Sequence, residues 1–321
     1  MKLALINCYF GELPNYFELW LQSCGANPDI DFYFLTNAEV PYEIPGNVFV
    51  FHISWEKIVK QIDEKFDFKT EIKSPYKLTD FKPAYGYIFE DLLESYDYWG
   101  YCDIDLIFGN LMKFIKEPME KGIDKLYRLG HLTIYRNTNE MRNLFRQRGA
   151  PFSYREVFSN PEFYSFDEHS GQMTIAKQQD VSEYYREDMA DISCRIRRMT
   201  ASRHENYSYQ VFYYENGAIW RAFIKDGRTE YEEFAYIHLQ KRRYMRFDKT
   251  DCFYILSDHF QNKTAGIPHE EEIKKLSEFV GNKQDKKQLN IFRTKKIKQF
   301  LVCSIKEKYI WIKIKLAENR Y

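Results

Sequence analysis

The sequence predicts an α/β protein built on a mostly parallel sheet flanked by helices. Three observations predict it. Short apolar runs that read as strands alternate with stretches of helical spacing through the N-terminal third of the chain. The first, "KLALIN" (2–7), is a short apolar run that reads as a buried strand. An acidic pair, Asp103 and Asp105, closes the run "YWGYCDID" (98–105), and open α/β sheets bind ligands beyond the carboxyl ends of their strands.

The elements follow in order. After "KLALIN", Phe17, Trp20, Leu21 and Cys24 recur at helical spacing, with Pro14 suited to the first turn and "GANPDI" closing the helix. "DFYFLT" (31–36) and "NVFVFHIS" (47–54) are further strands, and a helix runs from Trp55 to about Lys65. Within 74–96 a helix after "SPYKLTD" places Ala84, Ile88 and Leu92 on one face and leads into the acidic strand, which Gly109 and Asn110 turn away. "LYRLGHLTIYRN" (126–137) reads as one strand bent at Gly130, and "MRNLFRQRG" (141–149) as a short helix. Residues 209–223 form a hairpin turning at Asn216-Gly217, and 232–247 hold one more strand that ends in cations.

Composition bounds the class. A chain of 321 residues with 44% hydrophobic and 29% charged residues is a soluble globular protein. Its 26 Tyr and 26 Phe suit flat, stacking ligands and equally well fill a core. Cys8, Cys24, Cys102, Cys194, Cys252 and Cys303 show no CxxC spacing, which predicts reduced thiols rather than a disulfide frame or a zinc site. "MKLALIN" gives way too early to "CYFGELPNYF" for a signal peptide, and no run reaches bilayer length, so a cytoplasmic protein is expected.

Formal charge sums to zero but is unevenly spread. Residues 281–321 hold 12 Lys or Arg against 3 Asp or Glu, and the rest of the chain is acidic to the same extent. That tail interleaves Ile291, Phe292, Ile297, Phe300, Leu301, Ile305, Tyr309 and Trp311 with lysines. It is either a cationic amphipathic segment for an anionic membrane surface or a helix packed on the main domain with its lysines in water. The acidic remainder disfavours nucleic acid as a partner.

Two carboxylates at alternate positions of an extended chain point the same way, and oxygen ligands suit a hard cation, Mg²⁺ or Mn²⁺, bridging to a phosphate. A plain exposed strand end can also carry two acids. "IHLQKRR" supplies the complement: His238 as a third ligand, with Lys241, Arg242 and Arg243 as donors to a diphosphate. The bland reading of that stretch is a core histidine followed by a solvated charge run.

"NCYFGELPNYFELWLQSC", "KLTDFKPAYGYIF", "YCDIDLIFGN", "FDEHSG" and "YIHLQKR" together resemble bacterial nucleotide-sugar glycosyltransferases of the GT-A fold, of the kind found in capsule, exopolysaccharide and O-antigen gene clusters. The resemblance covers about residues 1–250. It implies a catalytic domain with a donor half (about 1–125) and an acceptor half (about 126–250), and leaves 251–321 as a basic helical extension. It also implies a hexosyl transfer from a nucleotide sugar, UDP favoured, to a surface-glycan acceptor, lipid-linked in the favoured case, on the inner face of the membrane.

Carried onto this chain, the resemblance implies that Asp105 ligates Mn²⁺ or Mg²⁺ and that His238 is the third protein ligand. Asp103 binds the metal or the donor ribose, and Lys241 neutralises the departing β-phosphate. Asn7, Cys8 and Tyr9 hold base and ribose, with Tyr9 free to stack on uracil or simply to pack its loop. Asp80 and Lys82 contact the donor sugar, although Asp80 also reads as a helix cap. In "FDEHSG", Asp167 or, by preference, Glu168 takes the acceptor proton if the enzyme inverts; a retaining enzyme needs no such base. His169 stands where an aromatic is expected. Gly130 and His131 face the donor or acceptor sugar, unless the glycine only bends a strand. The competing readings are an Asp-x-Asp phosphohydrolase and a carbohydrate-binding protein without turnover. The hydrolase is disfavoured because its motif follows a first strand and carries Thr where this chain has Ile107.

Overall fold

The computed structural model describes residues 1–193, 196–240 and 242–277. Lys241, Cys194 and the basic tail lie outside the described residues. Fifteen strands are formed there: β1 (Leu3–Tyr9), β2 (Ile30–Thr36), β3 (Val48–His52), β4 (Tyr98–Cys102), β5 (Leu106–Phe108), β6 (Lys125–Leu129), β7 (Leu132–Arg136), β8 (Glu183–Tyr184), β9 (Met189–Asp191), β10 (Gln210–Glu215), β11 (Ala218–Lys225), β12 (Arg228–Phe234), β13 (Tyr236–His238), β14 (Cys252–Ile255) and β15 (Phe260–Asn262). Seven of them make the main sheet, in the order β3-β2-β1-β4-β7-β6-β8. It is mostly parallel, with β7 antiparallel to both β4 and β6.

Strand periodicity explains why this sheet is central. Successive β1 side chains point to opposite faces, and both faces are covered. Leu3 and Leu5 join Phe17, Trp20 and Phe32 on one side, under the helix Phe17–Gly25. Ala4 and Ile6 join Ile58, Ile62, Trp99 and Tyr101 on the other, under the helix Trp55–Glu64. Each buried Leu or Ile contributes roughly 1.5–3 kcal/mol relative to exposure. Ser54 starts the second helix by accepting from the Lys57 amide at 3.2 Å.

Two glycines admit close approach. A Cβ on Gly86 would lie 2.3 Å from the Trp99 ring, and one on Gly100 would lie 2.5 Å from the Thr133 carbonyl oxygen. Gly86→Ala is therefore expected to destabilise by about 1–3 kcal/mol through overpacking, read as a lower urea midpoint at unchanged m-value.

The helix expected within 74–96 is instead a series of short turns: Pro75–Lys77, Leu78–Phe81, Lys82–Ala84, Tyr85–Ile88 and Glu90–Leu93. Pro83 cannot donate an amide, so the helical hydrogen-bond ladder is interrupted there and the chain tightens. The single bent strand of 126–137 is a hairpin, β6 and β7, reversing at Gly130-His131. The single strand of 232–247 is two, because the chain changes sheets at Ala235. Its amide donates to the Asp188 carbonyl at 2.7 Å and its carbonyl accepts from Gly109 at 2.8 Å.

The Asn216-Gly217 hairpin forms as expected, with φ of 49° and 82° at the two turn residues. It opens an antiparallel sheet, β12-β11-β10-β14-β15, while β5, β13 and β9 form a third. A domain boundary at 250 is corrected by this topology, since β14 pairs with β10 across it. No described helix is long and apolar enough to cross a membrane.

Candidate active site

A cleft of about 770 Å³ lies at the carboxyl ends of β1 and β4. Asn7, Cys8 and Tyr9 line one wall, Lys82, Asp103 and Asp105 another, and Arg243 and Tyr244 a third. The sheet order explains the meeting, because β1 and β4 are adjacent parallel strands. Asn7 extends their pairing past its last rung by donating from Nδ2 to the Cys102 carbonyl at 2.5 Å. The Tyr9 hydroxyl donates to the Glu12 carbonyl at 2.7 Å. Burial pushes the Cys8 thiol up to about 12, so it is a packed thiol rather than a nucleophile.

Asp103 and Asp105 are each compensated by a cation. Lys82 Nζ lies 2.6 Å from Asp103 Oδ1 and also donates to the Gly130 carbonyl at 2.8 Å. Burial opposes its charge, but Asp103 and Asp167 outweigh it and raise the pKa. His238 Nε2 lies 3.5 Å from Asp105 Oδ1, and its Nδ1 lies 2.9 Å from Asp191 Oδ1. Burial lowers the His238 pKa, yet the two carboxylates win and raise it to about 10. The same contact drags Asp191 down to about 2 against its burial. His131, whose ring is tilted 36° against the His238 ring at 4.3 Å between centroids, is held neutral by burial and by that neighbour.

Donor atoms of Asp103, Asp105 and His238 lie within 4.8 Å of one another, as do those of His131, Asp191 and His238. Ligands about 2.0–2.4 Å from one cation are separated by no more than that, so the first set fits a divalent ion with two oxygens and one nitrogen. His131 Nε2 is buried with no hydrogen-bond partner among the described residues.

Other expected contacts move. Asp80 does not line the cleft. It is fully buried, bonded to Lys77 at 2.8 Å and to the amides of Tyr164 at 3.0 Å and Phe166 at 2.9 Å. It therefore anchors the chain leading into "FDEHSG". Asp167 is also corrected: it is 5% exposed, packed 3.7 Å from Lys82 and against the Gly130 turn. Glu168 Oε1 accepts from the Gly130 amide at 2.9 Å, and neither acid lines the cleft. Arg242 lines the cleft and is also engaged by the Ile196 and Ser257 carbonyls at 2.7 and 2.9 Å. Lys241 lies outside the described residues.

Sequence reasoning missed Asp191, in "DMADIS", where one acid among several carries no local signal. Only the register of β9 against β13, which sets Asp191 opposite His238, reveals it. Tyr244 was missed for a similar reason, since it reaches the cleft from a stretch without regular structure.

No curated protein matches this chain. A family model matches residues 5–264, from β1 past β15 and so across every donor placed above, and by that match the chain belongs to DUF6625, a family of unknown function.

Proposed function

We propose that this protein is a metal-dependent glycosyltransferase of GT-A type, transferring a hexose from a nucleotide sugar, UDP favoured, to a bacterial surface-glycan acceptor. One observation carries the reading: Asp103 and Asp105 line a cleft at the ends of two parallel strands, and a donor atom of His238 lies within 4.8 Å of theirs. That is where an α/β sheet binds a nucleotide, and the donor set suits a cation between protein and diphosphate. One imidazole among the donors favours Mn²⁺ over Mg²⁺.

When bound, the cation supplies charge neutralisation at the diphosphate leaving group. The chain's own residues do the rest. Tyr9 and Asn7 shape the wall that receives base and ribose. Lys82 holds the Asp103 carboxylate in place at 2.6 Å, and Arg243 adds a cation on the opposite wall. Of the two acids in "FDEHSG", Glu168 is the one left partly exposed to receive an acceptor proton. A lipid-linked acceptor and a peripheral membrane location fit the basic tail of the sequence.

The test is a thermal-shift titration with UDP, GDP, CMP and ADP, each with and without Mn²⁺. One nucleotide is expected to raise the melting point only with metal, by mass action on the folded state, and Asp105→Ala to abolish the shift. No shift with any nucleotide would remove the reading.

A further inference from the structure

We infer that Asp191 is the positioning residue of the metal centre: its carboxylate fixes the His238 imidazole so that Nε2, not Nδ1, faces the cation. This rests on the reading that Asp103, Asp105 and His238 hold a divalent ion.

The strand ladder puts the imidazole between two acids. β13 runs parallel to β9 with His238 opposite Asp191, and antiparallel to β5 with His238 opposite Leu106, the residue after Asp105. The backbone locks both sides, because the Ile192 amide donates to the His238 carbonyl and the Leu239 amide to the Asp105 carbonyl, each at 2.9 Å. An imidazole has two nitrogens on different edges, so engaging one decides which remains a ligand. Here Nδ1 is engaged at 2.9 Å, and Nε2 is the nitrogen on the Asp105 side.

A second contact fixes the carboxylate itself. Gln240 Nε2 donates to the same Asp191 Oδ1 at 2.5 Å. Gln240 sits at φ 49°, a left-handed backbone that bulky residues seldom adopt, just past the strand it folds back upon. Asp191 Oδ1 thus already accepts two hydrogen bonds. Direct ligation through that oxygen would displace both, whereas the positioning role uses them as they stand. A carboxylate behind a ligating histidine sets its tautomer and ring orientation and raises its basicity, and losing such a partner typically weakens metal binding by 10–100-fold.

The experiment is a Mn²⁺ titration of the full chain, followed by the electron paramagnetic resonance signal of the free ion. It compares wild type, Asp191→Ala, Asp191→Asn and Asp105→Ala, with the unfolding midpoint of each measured in chelator. Asp191→Ala is expected to bind about 10–100-fold more weakly than wild type, with Asp191→Asn in between. Pulsed measurements on the bound ion should still show one imidazole nitrogen in both Asp191 variants and lose it in His238→Ala. If Asp191→Ala does not fold, Asp191→Asn carries the test.

Wild-type affinity in both Asp191 variants would overturn the inference and leave the metal site standing. Loss as complete as in Asp105→Ala would overturn it in favour of Asp191 as a ligand. A wild type that binds no Mn²⁺ would overturn the metal site and this inference together.

Discussion

Replacing Lys82 with methionine is expected to lower the stability of the metal-free protein by about 3–5 kcal/mol, and Mn²⁺ is expected to restore part of that loss. Methionine has nearly the length of lysine, so packing changes little and the effect is that of the missing charge. Lys82 is 7% exposed and is the one cation that faces both Asp103 and Asp167 among the described residues. It also donates to the Gly130 carbonyl, so its removal leaves that carbonyl and the Asp103 carboxylate without their donor and takes away the cation 3.7 Å from Asp167. Breaking a buried ion pair on one side costs more than the pair contributes, because the remaining charge stays desolvated. Asp103 keeps a side-chain exposure of 35%, which places the expected loss near the lower end of the range. A divalent ion on Asp103 and Asp105 would supply the missing positive charge. Urea unfolding with and without Mn²⁺ checks this; a loss that Mn²⁺ leaves untouched would argue that Asp103 does not face the cation.

The network around Lys82 also shows what the sequence can and cannot reveal. The β1, β2 and β3 strands and the first two helices are legible because their signals are local: apolar runs and helical spacing. The Asn216-Gly217 hairpin is legible because two residues with positive φ determine the turn. Asp103 and Asp105 stand out because two acids beside an apolar strand are costly without a partner.

What stays hidden depends on partners far along the chain. Asp80 reads as a donor contact or a cap until its actual partners, the Tyr164 and Phe166 amides, are seen more than eighty residues on. Gly130 reads as a bend until Asp167 is found where a Cβ would lie, at 2.2 Å. The helix breaks between 75 and 93 because proline chemistry and the burial of Lys77, Asp80 and Lys82 outweigh an apolar period that suits a helix. Asp191 needs a parallel strand partner, and parallel pairing leaves no short-range trace.

Stability is expected to fall as pH rises, in two windows that belong to different residues. Burial raises Asp167 to about 7, with Lys82 pulling against it and Glu168 and Asp103 adding to it. An unfolded aspartate titrates near about 3.9, so between these values the folded chain holds a proton that the unfolded chain has lost. Raising the pH through that window therefore favours unfolding. His238, raised to about 10 from an ordinary value of 6.5, contributes stability that is complete below 6.5 and is lost as pH climbs through 10. Asp191, lowered to about 2, works the other way, and its contribution disappears only as pH falls through that value. Asp167→Asn removes the first window alone. Relative to wild type it should gain on the order of 2–3 kcal/mol between pH 5 and pH 8, the slope being roughly 1.4 kcal/mol per pH unit for one proton. Above pH 8 the two proteins should run parallel, both still declining as His238 deprotonates. Urea unfolding of metal-free protein at pH 5, 7, 8 and 9 reads this directly. Parallel profiles from pH 5 onward would mean that Asp167 is ionised throughout. Lys82 would then be shared between two anions, and Asp103 would rely more heavily on the cation proposed for the cleft.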